Sequence, residues 1–303
     1  MLNLRMLDAN QLRTLREFAL RGTIAATADA LGYTPSAVSQ QLSALERSAG
    51  SSLTRRVGRR LVLTPAGVSL AASADEVLSA LERAQSAVRG ATGRASGTVR
   101  LAVFQSAALS LLPLALQNVR RAAPDLRVQV TQSEPAQALE DTWAREFDLV
   151  VAEEYPHHSA PHYAGLVRDT LVADAVRLAT PLTHEGSTIG SCSHLPWVME
   201  PRGAASRHFA EQLCRVTGFE PDVRFETVDL QAHIALVSAG EAVAFLPDLM
   251  HADAAGTLAL HSLPQAPART VFTAMRESSL ADPAIQVVVS SLREAARHLR
   301  ENT

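Results

Sequence analysis

The chain of 303 residues has no lysine: all 28 of its basic residues are arginines, which we read as genome composition before function. Cysteine is nearly as scarce. Cys192 and Cys214 are too few for a disulfide framework and are expected to be buried, reduced thiols. Aromatic residues make up only 4%, so the cores must be built from Leu, Val and Ala, for which a hydrophobic content of 47% leaves ample material. The opening residues, MLNLRMLDANQLRTLR, lack an apolar signal core, and no run reaches the ~18 apolar residues of a membrane span. The chain is therefore expected in the cytoplasm, with no membrane partner. HExxH, GxSxG, Walker A and GxGxxG patterns are missing and Cys192 has no fixed spacing to a base, which opposes an enzyme and calls for no cofactor. The stretch YPHHSAPHY holds His157, His158 and His162. It is interrupted by two prolines, has no helical i, i+4 pair and no cysteine partner, so it reads as a surface crossover loop rather than a metal site.

What is present is unevenly distributed. Residues 1–63 hold nine Arg against Asp8, Glu17, Asp29 and Glu46, a balance of +5. Residues 64–97 are neutral, so the overall charge of −3 leaves −8 for the remainder. A small basic head on an acidic body points to an anionic partner for the head alone.

That head reads as three short helices. Residues 8–21 place Leu12, Leu15, Phe18 and Ala19 toward a core, with Gly22 as the stop. Thr23 caps a second helix to Leu31, with Ile24, Ala28 and Leu31 inward. Gly32 ends it, and Tyr33 leads directly to Thr34, which caps a third helix with Pro35 in its first turn. Two helices joined by so tight a glycine-containing turn form a helix-turn-helix. In the third helix Val38, Leu42, Leu45 and Ala49 share the inner face. Ser36, Gln40, Ser43 and Arg47 lie opposite, with Ser39 beside them, short hydrogen-bonding side chains and a guanidinium in place of the usual Glu/Lys mixture. Gln can take two bonds from adenine, and Arg can grip guanine or a phosphate, so this face suits a DNA major groove. Next comes LTRRVGRRLVLT, residues 53–64, a two-stranded wing with Arg55, Arg56, Arg59 and Arg60 around Gly58. Four guanidiniums at one turn repel each other unless phosphates neutralise them.

Thr64-Pro65 opens a long helix to about Arg89. Leu70, Ala74, Val77, Leu81, Ala84 and Val88 alternate steps of four and three, an a/d seam expected to pair with its own copy in a twofold dimer. Packing on its own chain is the alternative. GATGRASGT, residues 90–98, breaks the helix at a hinge. From Thr98 strands alternate with helices, an α/β pattern implying a parallel sheet, arranged as two lobes around a cleft for a small molecule. LVADAVRLATP is expected to carry the chain to the second lobe.

These residues resemble the LysR-type transcriptional regulators over essentially the whole chain. The strongest match is TIAATADALGYTPSAVSQQLSALERSAGSSLTRRVGRRLVLTPAG. LLPLALQNVRRAAPDLRV, FDLVVA and LVSAGEAVAFLP carry a looser one. The RRVGRR cluster departs from the family's wing, which often carries an aromatic and a bulky side chain. The resemblance implies a multidomain α/β protein. A winged helix-turn-helix (1–64) would be followed by a linker helix for dimerisation (65–90) and a hinge (91–97). A periplasmic-binding-protein-like effector domain (98–303) would complete it, with lobe I at about 98–170 and 265–303 and lobe II at about 171–264. It further implies a homodimer or homotetramer on double-stranded promoter DNA, modulated by an effector in the cleft. Carried over by resemblance, the effector residues are Gln105, Ser106, Ser133, Glu134, Glu153, Pro201, Arg202, Gly203 and Thr227. Ser106 and Ser133 fit helix caps equally well. Arg202 suits an anionic group, whereas Glu134 and Glu153 suit an amine, so an anionic or amino-acid-like effector is expected. A solute carrier or an architectural DNA protein without effector are the competing readings.

Overall fold

The computed structural model describes residues 6–250 and 256–302, and the chain divides into two compact units, Met1–Gly93 and Arg94–Thr303. In the first unit every helix opens on a side-chain cap and closes on a left-handed glycine, the local chemistry that satisfies orphaned backbone groups at helix ends. Helix α1 (Ala9–Arg21) is capped by Asp8, which accepts from the N–H groups of Asn10 and Gln11. Helix α2 (Ile24–Leu31) is capped by Thr23, α3 (Pro35–Ala49) by Thr34 and α4 (Pro65–Thr92) by Thr64. Gly32, at φ 65°, lets the chain reverse between α2 and α3, where a side chain would be strained.

Leu12, Leu15, Phe18, Ala28, Val38, Leu42 and Leu45 form the core of this unit with Leu53, Ala71 and Ala74. Ala49, placed inward by the sequence pattern, is exposed. It occupies the last helical turn, beyond the reach of the packed partners. Strands β1 (Thr54–Val57) and β2 (Arg60–Leu63) pair antiparallel as the expected wing. Gly67 sits beneath its root, where a Cβ would overlap the Leu53 carbonyl oxygen.

The a/d seam of α4 divides. Ala74 is fully buried in the winged-helix core and Leu70 packs against it, while α1 runs alongside. Arg16 ties the pair by donating to Asp75 at 2.7 Å. These two seam positions are therefore covered by their own chain, correcting the assignment of the whole stripe to a partner copy. Val77 and Leu81 are each 43% exposed and Val88 67%, and Ala84 is exposed too.

The largest sheet of the second unit is mixed, in the order β10 (Ala259–Ser262), β6 (Leu166–Thr180), β11 (Ala268–Arg276), β5 (Leu149–Glu154), β3 (Gly97–Val103) and β4 (Leu126–Gln132), with β9 (Ala244–Pro247) also on β6. Strands β3 (Gly97–Val103), β4 (Leu126–Gln132) and β5 (Leu149–Glu154) are parallel, as the sequence pattern predicts. Strand β11 (Ala268–Arg276) lies antiparallel between β5 and β6 (Leu166–Thr180), so the sheet is not purely parallel. Alternating side chains serve two faces. Leu149 and Val151 of β5 face a core shared with the helices after β3, α5 (Gln105–Ser110) and α6 (Leu112–Ala122), and with the closing helix α10 (Pro283–Asn302). Val150 and Ala152 face α7 (Pro135–Trp143) through Ala138 and Leu139.

Strand β6 belongs to both lobes. Residues 166–175 pair with β11, and residues 176–180 pair with β9 (Ala244–Pro247) and β10 (Ala259–Ser262). The second lobe adds β7 (Pro196–Met199), α8 (Ala205–Val216), β8 (Asp222–Glu226) and α9 (Leu230–Ser238), and packs around the buried Trp197.

Candidate functional site

The first site is the outer surface of α3 with the wing. Thr34, Pro35, Ser36, Ser39, Gln40, Ser43, Arg47, Arg55, Arg56, Arg59 and Arg60 are all exposed, while Val38, Leu42 and Leu45 anchor the helix from behind. Three hydroxyls are engaged locally: Thr34 accepts from Ala37 N–H at 3.2 Å and shares a hydrogen bond with the Ser36 hydroxyl at 3.0 Å, and Ser39 donates to the Pro35 carbonyl at 3.0 Å. A concavity of about 610 Å³ lies between α3, the start of α2 and the wing, lined by Gly22, Thr23, Ile24, Ser39, Arg56, Arg59, Arg60 and Leu61. None of the four wing arginines meets a carboxylate among the described residues, which leaves their charge available to an anion. The wing is held by Glu46, whose Oε1 accepts from the N–H groups of Leu53 and Thr54, each at 2.9 Å, and from the Thr54 hydroxyl at 3.0 Å. In the sequence this acid enters only the charge balance, since its partners Leu53 and Thr54 lie seven and eight residues on.

The second site is a cavity of about 300 Å³ between the lobes. Glu134, which precedes α7, and Glu153, at the end of β5, reach it from the first lobe. Pro201, Arg202 and Gly203, ahead of α8, close it from the second. These are five of the nine carried-over effector positions. The first turns of α7 and α8 also line it, and neither helix has a side-chain cap bond. The other four positions hold the lobes together or stand aside. Gln105 donates to Asp229 at 2.6 Å and accepts from Leu230 N–H at 2.8 Å, bridging α5 to α9 across the lobes. Thr227 accepts from Asp229 N–H. Ser133 lies half-buried at the end of β4 and caps no helix through its side chain. Ser106 is buried inside α5 rather than capping it, because its hydroxyl accepts from Arg269 at 2.6 Å.

Arg269 escaped the sequence reading, since an isolated arginine at a strand start carries no pattern. It is 1% exposed and bonds Asp174 through Nε at 2.8 Å, Glu153 through Nη1, and Ser106 through Nη2, with its guanidinium 5.2 Å from the Phe104 ring centre. Burial pushes the Glu153 carboxyl up to about 7 against the pull of Arg269, and neighbouring Glu200, Asp174 and Glu134 push the same way. Glu134, Asp174 and Glu200 are likewise raised, in each case mainly by burial. The cavity is thus carboxylate-rich, with Arg202 exposed on its rim. His158, assigned from sequence to a surface crossover loop, lines it and sits 5.2 Å ring to ring from His208, because the crossover folds over the cleft. Among the described residues no cluster of three His, Cys, Asp or Glu could hold a metal ion, and no helix is long and apolar enough to cross a membrane.

An arginine-winged helix-turn-helix joined to a two-lobed domain with an interlobe cavity defines a ligand-responsive DNA-binding regulator. The family models "Bacterial regulatory helix-turn-helix protein, lysR family" and "LysR substrate binding domain" match residues 9–68 and 92–297. The chain belongs to the LysR family of DNA-binding transcriptional regulators and is not an enzyme. It is 27% identical over 253 residues to the transcriptional dual regulator GltC of Bacillus subtilis, covering 82% of this chain and 83% of that protein. It is 29% identical over 283 residues to a probable hydrogen peroxide-inducible genes activator of Streptomyces viridosporus, covering 90% and 89%. A full-length OxyR variant from Pseudomonas aeruginosa shares the fold at a TM-score of 0.70 and 19% identity, covering 96% of this chain and 97% of that one.

Proposed function

We propose that this regulator works in the cytoplasm as a homodimer or homotetramer, and that it responds to an amino-acid-like effector received between the lobes. The observation that carries the effector reading is the cavity itself, which draws Glu134 and Glu153 from one lobe and Pro201, Arg202 and Gly203 from the other. A ligand touching both lobes gains contacts only when they are closed and so shifts their balance. Arg202 and the uncapped starts of α7 and α8 favour an anionic group, and the carboxylates favour an amine. On DNA, Ser36, Gln40, Ser43 and Arg47 face base edges while Arg55, Arg56, Arg59 and Arg60 grip phosphates. Val77, Leu81, Ala84 and Val88 form the dimer seam.

Peroxide sensing, suggested by the name of the Streptomyces relative, is disfavoured here. Cys192 and Cys214 are both buried, and burial raises both thiols, that of Cys214 to about 12, whereas oxidation needs an accessible thiolate. The test is a metabolite screen on the full chain. Effectors should raise its melting temperature, because affinity for the folded state adds directly to stability, and should change its footprint on its own upstream DNA. A chain that binds that DNA but is stabilised by no small molecule would instead be an architectural protein.

A further inference from the structure

Behind the interlobe cavity lies a second, inner chamber within lobe II. It measures about 30 Å³, room for one group of the size of a water molecule. Glu200 and Ser206 line both spaces and form the wall between them. Val176, Val198, Phe209, Ala210 and Phe245 supply apolar side chains to its lining. Three hydrogen-bond acceptors stand out against that background. One is the Glu200 carboxylate, which receives the Ser206 hydroxyl, and a second is the oxygen of that hydroxyl. The third is His233, 2% exposed: its Nε2 is 2.9 Å from the Thr227 carbonyl, to which it donates, and its Nδ1 has no partner. Burial lowers the His233 pKa, so the ring is neutral and Nδ1 is an acceptor. Arg207 also borders the chamber, but its guanidinium is turned to Glu211, Glu226 and the Glu200 carbonyl. Tyr155 borders it as well, with its hydroxyl 3.4 Å from Arg269.

We infer that the inner chamber receives the protonated primary amine of the effector, with Glu200, Ser206 and His233 Nδ1 accepting its three N–H bonds. The size fits: an ammonium is nearly the size of water and presents three donors with no acceptor. The charge fits, since Glu200 lines the chamber, Glu134 and Glu153 line the adjoining cavity, and a buried cation requires a countercharge. The orphaned imidazole nitrogen fits, because a buried acceptor without a donor costs stability that a ligand N–H recovers. The inference rests on the cleft reading above and assigns the ends of the molecule: amine inward, acidic group outward at Arg202.

The test uses the full chain with the ω-amino acids from glycine to 6-aminohexanoate and the matched straight-chain carboxylates, read by thermal shift and calorimetry. Amine-bearing members should bind, and Glu200→Gln or His233→Leu should weaken them about tenfold, the loss of one charge-assisted or buried hydrogen bond. Ala210→Val, which fills the chamber without touching its polar atoms, should do the same and decides the matter if His233→Leu does not fold. Binding of carboxylates as strong as that of their amino counterparts, or amine binding indifferent to all three substitutions, would overturn the inference while leaving a cleft effector intact. So would silence from both series when the wider metabolite screen finds a binder. A crystal of the amine complex with only water in the chamber would overturn it too.

Discussion

Glu46, in the last turns of α3, holds Thr54 at the start of the wing by two bonds, one from the N–H and one from the hydroxyl. The acid thereby sets the distance between α3 and the arginine ribbon. Glu46→Ala should destabilise the unit by about 1–3 kcal/mol, the cost of leaving buried donors unpaired. It should also weaken binding to operator and random DNA alike. Melting curves and gel shifts on both duplexes check this, and an unaltered affinity would show that the wing is held by other means.

Base readout and phosphate grip separate by their salt behaviour. Gln40→Ala or Arg47→Ala should lose about 1–3 kcal/mol on the operator and relax preference at one base pair. Arg59→Ala should lower affinity evenly across sequences and reduce the salt slope by about one unit. Fluorescence anisotropy over a salt series, on matched and mutated sites, distinguishes the two.

The divided seam of α4 makes opposite predictions for two leucines of one stripe. Leu81→Glu should leave the fold intact and dissociate the dimer, visible by light scattering. Leu70→Glu should place a charge against the winged-helix core, costing several kcal/mol and unfolding the DNA-binding unit. If both variants stay folded and dimeric, the exposed half of the stripe is not an interface.

Glu153 ties stability to pH in an unusual direction for a carboxylate. Its folded pKa, about 7, lies above the unfolded value, so between roughly 4.5 and 7 the native state binds the extra proton. Stability from this group is present in acid and lost as pH rises through 7, by up to ~3 kcal/mol. Glu134, Asp174 and Glu200 shift in the same sense and share the slope. Urea denaturation of the full chain from pH 5 to 8 should show this decline, and Glu153→Gln should flatten it.

Legibility in the sequence followed the range of the interactions. The caps Thr23, Thr34 and Thr64 and the inward stripe Val38, Leu42 and Leu45 act within a few residues, so their pattern is printed locally. The exposed polar face of α3 follows by exclusion. Arg269 could not be read, because Asp174 and Ser106 stand 95 and 163 residues away in the chain. A heptad stripe shows that a face is apolar but not what covers it, hence Leu70 and Ala74 were placed on the wrong neighbour. Five of the nine positions carried over by resemblance line the cleft, while Glu200 and His158 needed the crossing of the lobes to bring them in.

The root of the wing and the origin of α4 are joined at three places: Thr64 N–H bonds the Leu53 carbonyl, its hydroxyl bonds Ser52, and Gly67 lies against Leu53. Ribbon and long helix consequently behave as one crank. In the proposed dimer, any scissoring of the two α4 helices would sweep the arginine tips along the duplex, converting an angular change at the dimer axis into altered tension on the intervening DNA.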